Sequence, residues 1–139
     1  MGTPYDRYKE LQVQTASKEK LVSMLYEGAI LFLERAMDAI DRKDIELAHK
    51  SLMRVEDILF ELMSSLDMKA GGEIAKNLMV LYEYMNYRTI EANVSKDKEI
   101  ILEVKGMFET LKSAWDEAME KLQKERMSTS GGEGINLAG

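Results

Sequence analysis

The sequence predicts an all-α protein, an antiparallel four-helix bundle, and three observations carry that prediction. Apolar residues step by threes and fours along two long segments. One holds Ala48, Leu52, Val55, Leu59, Leu62 and Leu66; the other holds Ile101, Val104, Phe108, Leu111, Trp115, Ala118 and Leu122. That spacing puts them on one face of a helix, as a bundle seam requires. Helix breakers are scarce: Pro4 is the only proline, and between Gly28 and the tail the glycines are Gly71, Gly72 and Gly106. Residues suited to cap helices stand at Ser17, Asp44 and Ser95, ahead of apolar-periodic stretches. No segment alternates with the period of two that a half-buried strand shows.

Taken in order, a short helical arm spans about Tyr5 to Val13. Ser17 caps the first long helix, with Glu19 placed where a negative charge complements the helix dipole, and that helix runs to about Asp41. Asp44 caps the second, which ends near Ser65 before a connection holding Asp67, Lys69, Gly71 and Gly72. The third runs from about Gly72 to Asn93 and is expected to bury Ile74, Leu78, Leu81, Met85 and Ala92. Ser95 is the expected cap of the fourth. Short loops between long helices make neighbours antiparallel. Residues 1–127 are read as a single helical domain with 1–14 as its arm. Residues 128–139, beginning Ser128-Thr129-Ser130-Gly131-Gly132, have the composition of a disordered tail.

Two helices are too apolar for one buried stripe. Ile30, Leu31, Phe32 and Leu33 are consecutive and sweep roughly 300° at about 100° per residue. Leu78-Met79-Val80-Leu81-Tyr82 encircle the third helix in the same way, and Tyr82, Tyr84 and Tyr87 cannot share one face. A helix that is apolar on two sides needs a second partner. The 11 methionines suit both an irregular core and a groove that adapts to a bound helix.

Composition narrows the function. The chain has 139 residues, 45% of them hydrophobic and 32% charged, with a formal net charge of −6. That balance opposes sequence-independent nucleic-acid binding, which rests on many Lys and Arg contacts to phosphate. Without cysteine there is no disulfide, thiolate nucleophile or thiolate-ligated metal. No apolar run approaches the roughly 20 residues that span a bilayer. The N-terminus Met1 to Arg7 lacks a signal peptide's apolar region, which predicts a cytosolic protein.

Catalytic and metal chemistry find little support. Glu46-Leu47-Ala48-His49 matches one Glu-x-x-His element of a di-iron bundle site, but His49 is the only histidine and the site needs two such elements. Both residues flank the seam position Ala48 and lean toward solvent. Most of the 25 acidic residues fall between the seams, where a solvated face expects them. No nucleophile elbow or phosphate-binding glycine loop is present, so no catalytic residue, cofactor or metal ligand is assigned.

Two stretches resemble the FliS family of flagellar export chaperones. The first is Tyr8-x4-Val13-x-Thr15-Ala16-Ser17-x3-Leu21-x2-Met24-Leu25-Tyr26-x-Gly28-Ala29. The second is Gly71-Gly72-Glu73-Ile74-Ala75-x-Asn77-Leu78-x2-Leu81-Tyr82-x-Tyr84-Met85, followed by Glu91-Ala92-Asn93 and Trp115. The likeness spans about residues 5–120. It departs at Lys18, where the family commonly has proline, and at Arg88-Thr89, where two basic residues are usual.

The resemblance implies a partner: the C-terminal segment of flagellin, unstructured before assembly, which such proteins keep from polymerising and help deliver to the flagellar type III export gate. It also implies an N-terminal arm that caps an apolar groove, with Tyr8, Val13, Thr15 and Ala16 as cap and hinge. Leu25, Tyr26, Ala29 and Leu33 are then the first groove wall, and Leu81, Tyr82, Tyr84 and Met85 the second. Leu21 and Leu78 are assigned to the core. The competing readings are an adaptor for another amphipathic helix, such as a flagellar regulator or a second copy, and a bundle enzyme or metal store. No nucleic-acid or membrane-inserted role is expected.

Overall fold

The computed structural model describes residues 17–138, with side chains through Ser128. Four helices occupy them: α1 Lys18–Asp41, α2 Ile45–Ser65, α3 Gly72–Ser95 and α4 Lys98–Ala138, with no strand among the described residues. Each packs on its sequence neighbour, and α4 closes the ring against α1. The pairs are antiparallel. Along α1 and α4, Ser23 meets Asp116, Glu34 meets Lys105 and Asp41 meets Lys98, so one number rises as the other falls.

Local chemistry sets the boundaries. Ser17 accepts from the Lys20 amide at 3.3 Å and starts α1. Its end is a Schellman closure: the Lys43 amide donates to the Ile40 carbonyl and the Asp44 amide to the Ala39 carbonyl, at 3.0 and 2.8 Å. Asp44 then caps α2 by accepting from the Leu47 amide at 3.1 Å. This closure puts Lys43 at φ 61°, the left-handed region where a β-carbon is unfavourable. Lys43→Gly is therefore expected to stabilise the bundle by about 1 kcal/mol, raising the midpoint of thermal unfolding by about 3 °C. The cap of α4 differs from expectation. Ser95 is the last residue of α3 and its hydroxyl donates back to the Glu91 carbonyl at 2.8 Å, while Asp97 caps α4 by accepting from the Glu99 amide at 2.9 Å.

The core holds the α2 seam as predicted: Ala48, Leu52, Val55, Leu59 and Leu62 are buried. From α1 it takes Tyr26, Ala29, Leu33, Ala36 and Ala39, whose three alanines let the backbone approach closely. From α4 it takes Ile101, Val104 and Phe108; Leu111, Trp115 and Leu122 are half-buried, and residues 123–128 are exposed. Among the described residues the packing thus ends near Leu122, although the helical backbone continues to Ala138, through the segment of tail-like composition. On α3 the phase is shifted. Ala75, Tyr82, Met85, Thr89, Ala92 and Asn93 are buried, Leu78 and Leu81 are half-buried, and Ile74 is exposed. The hydroxyl of Thr89 is accommodated by donation to the Met85 carbonyl at 2.7 Å.

Candidate functional site

Among the described residues, a cleft of about 770 Å³ lies at one end of the bundle, between the start of α1, the end of α2 and the start of α3. Leu21, Val22 and Leu25 line it from α1, Leu62 and Leu66 from α2, Ile74, Ala75 and Leu78 from α3, and Trp115 from α4. Tyr82 also lines it. Val22, Leu25, Leu66, Leu78 and Trp115 pack their inner sides on the core, so the cleft is a continuation of the core that the helices leave uncovered.

The link between α2 and α3 holds the opening. The Asp67 carboxylate accepts from the Lys69 and Ala70 amides at 3.1 and 3.0 Å, an Asx turn, and those backbone hydrogen bonds hold its pKa below the ordinary value. Two glycines follow for separate reasons. A β-carbon on Gly71 would stand 2.6 Å from the Ala75 β-carbon and 2.7 Å from the Asp67 carbonyl oxygen. Gly72 takes φ +53°. These constraints let α3 start immediately beside the turn, with Ile74 pointing outward at 73% exposure.

On the α4 side, the Trp115 indole donates to the Glu19 carbonyl at 2.7 Å, fixing its ring against the first turn of α1. Next to it, Asp116 accepts from the Ser23 hydroxyl at 2.7 Å and pairs with Lys112 at 2.7 Å; these contacts lower its pKa. Deeper in, the Tyr26 and Tyr82 hydroxyls meet at 2.5 Å across the bundle, and burial raises both phenol pKa values.

A second apolar surface runs down the outside of α3. Val80, Tyr84, Tyr87 and Val94, at spacings of four, three and seven, are exposed along one line. The Tyr84 hydroxyl donates to Glu103 at 2.5 Å, and Arg88 bridges Glu103 and Glu91 at 2.8 and 2.7 Å. Those bonds to Tyr84 and Arg88 lower the Glu103 pKa.

The residues expected as groove walls fall in different places. Tyr26, Ala29, Leu33 and Met85 are enclosed in the core of the free chain. Their helices bury the very stripe that motif and phase assigned to the groove. Tyr82 is only 2% exposed but borders the cleft, and Leu25 lines it. Leu81 is half-buried against the core, and Tyr84 sits apart on the outer stripe. Leu21 and Leu78, assigned to the core, line the cleft, Leu78 while also packing against the core. Val22, Leu66, Ile74 and Trp115 were missed as lining residues. The signal for Ile74 and Leu66 was their place on either side of the connection that holds Gly71 and Gly72. Tyr8, Val13, Thr15 and Ala16 lie outside the described residues.

Nothing in this arrangement favours chemistry on a substrate. Among the described residues no three His, Asp or Glu side chains gather to hold a metal ion. His49 shares a hydrogen bond with Asn93 at 3.2 Å, and Glu46 pairs with Lys50 at 3.2 Å. No described helix is long and apolar enough to cross a membrane.

The comparison with known proteins decides what kind of bundle this is. Residues 1–122 match the family described as "Flagellar protein FliS". The chain belongs to the FliS family. Its relatives include the flagellar secretion chaperone FliS of Bacillus subtilis, 30% identical over 128 residues covering 92% of this chain and 95% of that one. The flagellar secretion chaperone FliS of Salmonella typhimurium is 35% identical over 113 residues, 81% of this chain and 84% of the other. That of Vibrio cholerae is 37% identical over 106 residues, 76% and 78% of the two chains. A FliS protein is a chaperone in kind rather than an enzyme, which fits a site built of apolar side chains. The matched region ends at Leu122, where the packed core also ends.

Proposed function

We propose that this chain is a cytosolic export chaperone that binds the disordered C-terminal segment of flagellin, prevents its premature polymerisation and aids its delivery to the flagellar type III export apparatus. The observation that carries this is the open apolar cleft, continuous with the core, in a member of the FliS family. A segment built to pack into a filament is amphipathic, and free in the cytosol it self-associates. Folding its apolar face onto Leu25, Leu78 and their neighbours hides that face. Ordering the segment costs entropy, which keeps the complex releasable at the gate.

Residues 1–14 act as the removable cover of the cleft, with Tyr8 and Val13 as its apolar side chains and Thr15 and Ala16 as its hinge. Ser17, the first described residue, caps α1 beside the cleft residue Lys18. Deleting residues 1–14 is expected to raise the fluorescence of an apolar-surface dye; unchanged fluorescence contradicts the cover. The domain proper ends by residue 127, and residues 128–139 form a tail outside it.

Trp115 reports on the site, because it is the only tryptophan and lines the cleft. Adding the C-terminal segment of the cognate flagellin is expected to shift its emission to the blue and to saturate at one equivalent. Binding that leaves the emission unchanged places the segment elsewhere on the bundle, and no binding overturns the proposed client.

A further inference from the structure

We propose that residues 63–81, the last turn of α2, the connection and the first turns of α3, form a jaw that swings outward from a fixed frame of α1 and α4 and so admits the flagellin segment. The inference rests on the chaperone reading and adds how the cleft is entered. The frame is pinned along its length. The Trp115 indole donates to the Glu19 carbonyl and the Ser23 hydroxyl to Asp116, both at 2.7 Å; Lys105 pairs with Glu34 at 3.4 Å, and Lys98 pairs with Asp41. Other cross-links hold the far half of α3. Tyr84 and Arg88 donate to the Glu103 carboxylate of α4 at 2.5 and 2.8 Å, and Asn93 shares a hydrogen bond with His49 of α2 at 3.2 Å. The link nearest the cleft is the hydrogen bond between the Tyr82 and Tyr26 hydroxyls.

The jaw lacks such links. Among the described residues, no side chain from 63 to 81 makes a hydrogen bond or ion pair to another helix. Ser65 donates to the Leu62 carbonyl one turn back, and Asp67 accepts from the neighbouring Lys69 and Ala70 amides. After those backbone hydrogen bonds, the Lys18 charge on α1 also helps to lower the Asp67 pKa, but the two form no ion pair among the described residues. Burial divides at the same place. From 63 to 81 Ala75 alone is buried, while Met63, Leu66, Leu78 and Leu81 rest on the core by one side. From 82 to 93, Tyr82, Met85, Thr89, Ala92 and Asn93 are all buried. Hydrogen bonds fix distance and direction, whereas half-buried apolar contacts fix neither, so this end opens before the core does.

The cleft follows the boundary between the two parts. Leu21, Leu25 and Trp115 line it from the frame, and Leu66, Ile74 and Leu78 from the jaw. A segment that enters between them replaces, with its own apolar side chains, the contacts that Leu66 and Leu78 give up. Binding therefore favours the open position.

The chain has no cysteine, so pairs of introduced cysteines carry spin labels at chosen sites of the full-length protein. Lys20→Cys with Lys76→Cys spans frame and jaw; Arg35→Cys with Val94→Cys spans the same two helices at the far end, and all four sites are exposed. In the free protein the first pair is expected to give a distance distribution about twice as wide as the second. Adding the C-terminal segment of the cognate flagellin is expected to lengthen the first distance by about 5 Å and to move the second by less than about 2 Å. A first pair as narrow as the second overturns the proposal, and so does a wide one that a bound segment leaves unchanged. If the segment fails to bind, the chaperone reading falls, and the widths in the free protein still decide whether the jaw moves. Lys69→Cys with Lys121→Cys is a second pair across the same boundary and decides in place of the first if that variant does not fold.

Discussion

Ile74→Asp is expected to weaken binding of the flagellin segment about 100-fold while leaving the unfolding midpoint within a few degrees of the parent. The separation of the two effects comes from exposure. Ile74 is 73% exposed in the free protein, so a charge there is solvated and the fold loses little. In the proposed complex it would lie against an apolar segment. The variant then loses the burial of a large aliphatic side chain, about 1.5–3 kcal/mol, and adds the cost of desolvating a carboxylate. Ile74→Leu keeps size and polarity and is expected to bind within about threefold of the parent. Calorimetric titration of the three proteins checks this. Parental affinity in Ile74→Asp would remove the start of α3 from the binding surface.

Leu59→Ala has the opposite signature. Leu59 is 0% exposed in the middle of the α2 seam, surrounded by the core. Truncation removes its transfer free energy and leaves a cavity, together about 3 kcal/mol. For a domain of this size that lowers the unfolding midpoint by about 10 °C. The affinity of the remaining folded protein is expected to change less than threefold, because Leu59 does not line the cleft. Thermal unfolding by circular dichroism, alongside the same titration, measures both. A small shift in the midpoint would mean that this seam is not the tightly packed centre of the bundle.

The two helices that carry these variants also mark where the sequence was readable. On α2 one unbroken run of threes and fours stands out even though Met53 and Phe60 lie exposed off it, so spacing alone named Leu52, Val55, Leu59 and Leu62 as core, and the caps Ser17 and Asp44 were plain. On α3 the apolar residues go all the way round, and hydrophobicity has no preferred side. The bundle there buries Ala75, Thr89 and Asn93, small or polar residues that fit close to neighbouring helices, and leaves Ile74 and Val80 outside. No apolar pattern selects threonine over isoleucine for a core. Packing does, once the Thr89 hydroxyl has the Met85 carbonyl.

The same ambiguity moved the site. Excess apolar surface on α1 and α3 is present in the fold, but the residues lining the cleft lie a fraction of a turn from those named for a groove. Tyr26 and Met85 went inside, and Leu21 and Leu78 came to the edge. A tyrosine in a core is legible only when its partner is known, and the partner of Tyr26 is 56 positions away on a helix it does not adjoin in sequence. The cleft itself is built from three helices and the α2–α3 connection, an arrangement that spacing within one helix does not encode.

The most direct test of the account is to titrate the full-length protein with the isolated C-terminal segment of its cognate flagellin, following heat and circular dichroism together at several temperatures. The account predicts a one-to-one complex with a large negative heat-capacity change and a gain of helix beyond the sum of the parts, the marks of a disordered segment folding onto apolar surface. No heat and no added helix at tens of micromolar would contradict it, and would leave a FliS-family bundle whose cleft serves some other amphipathic partner.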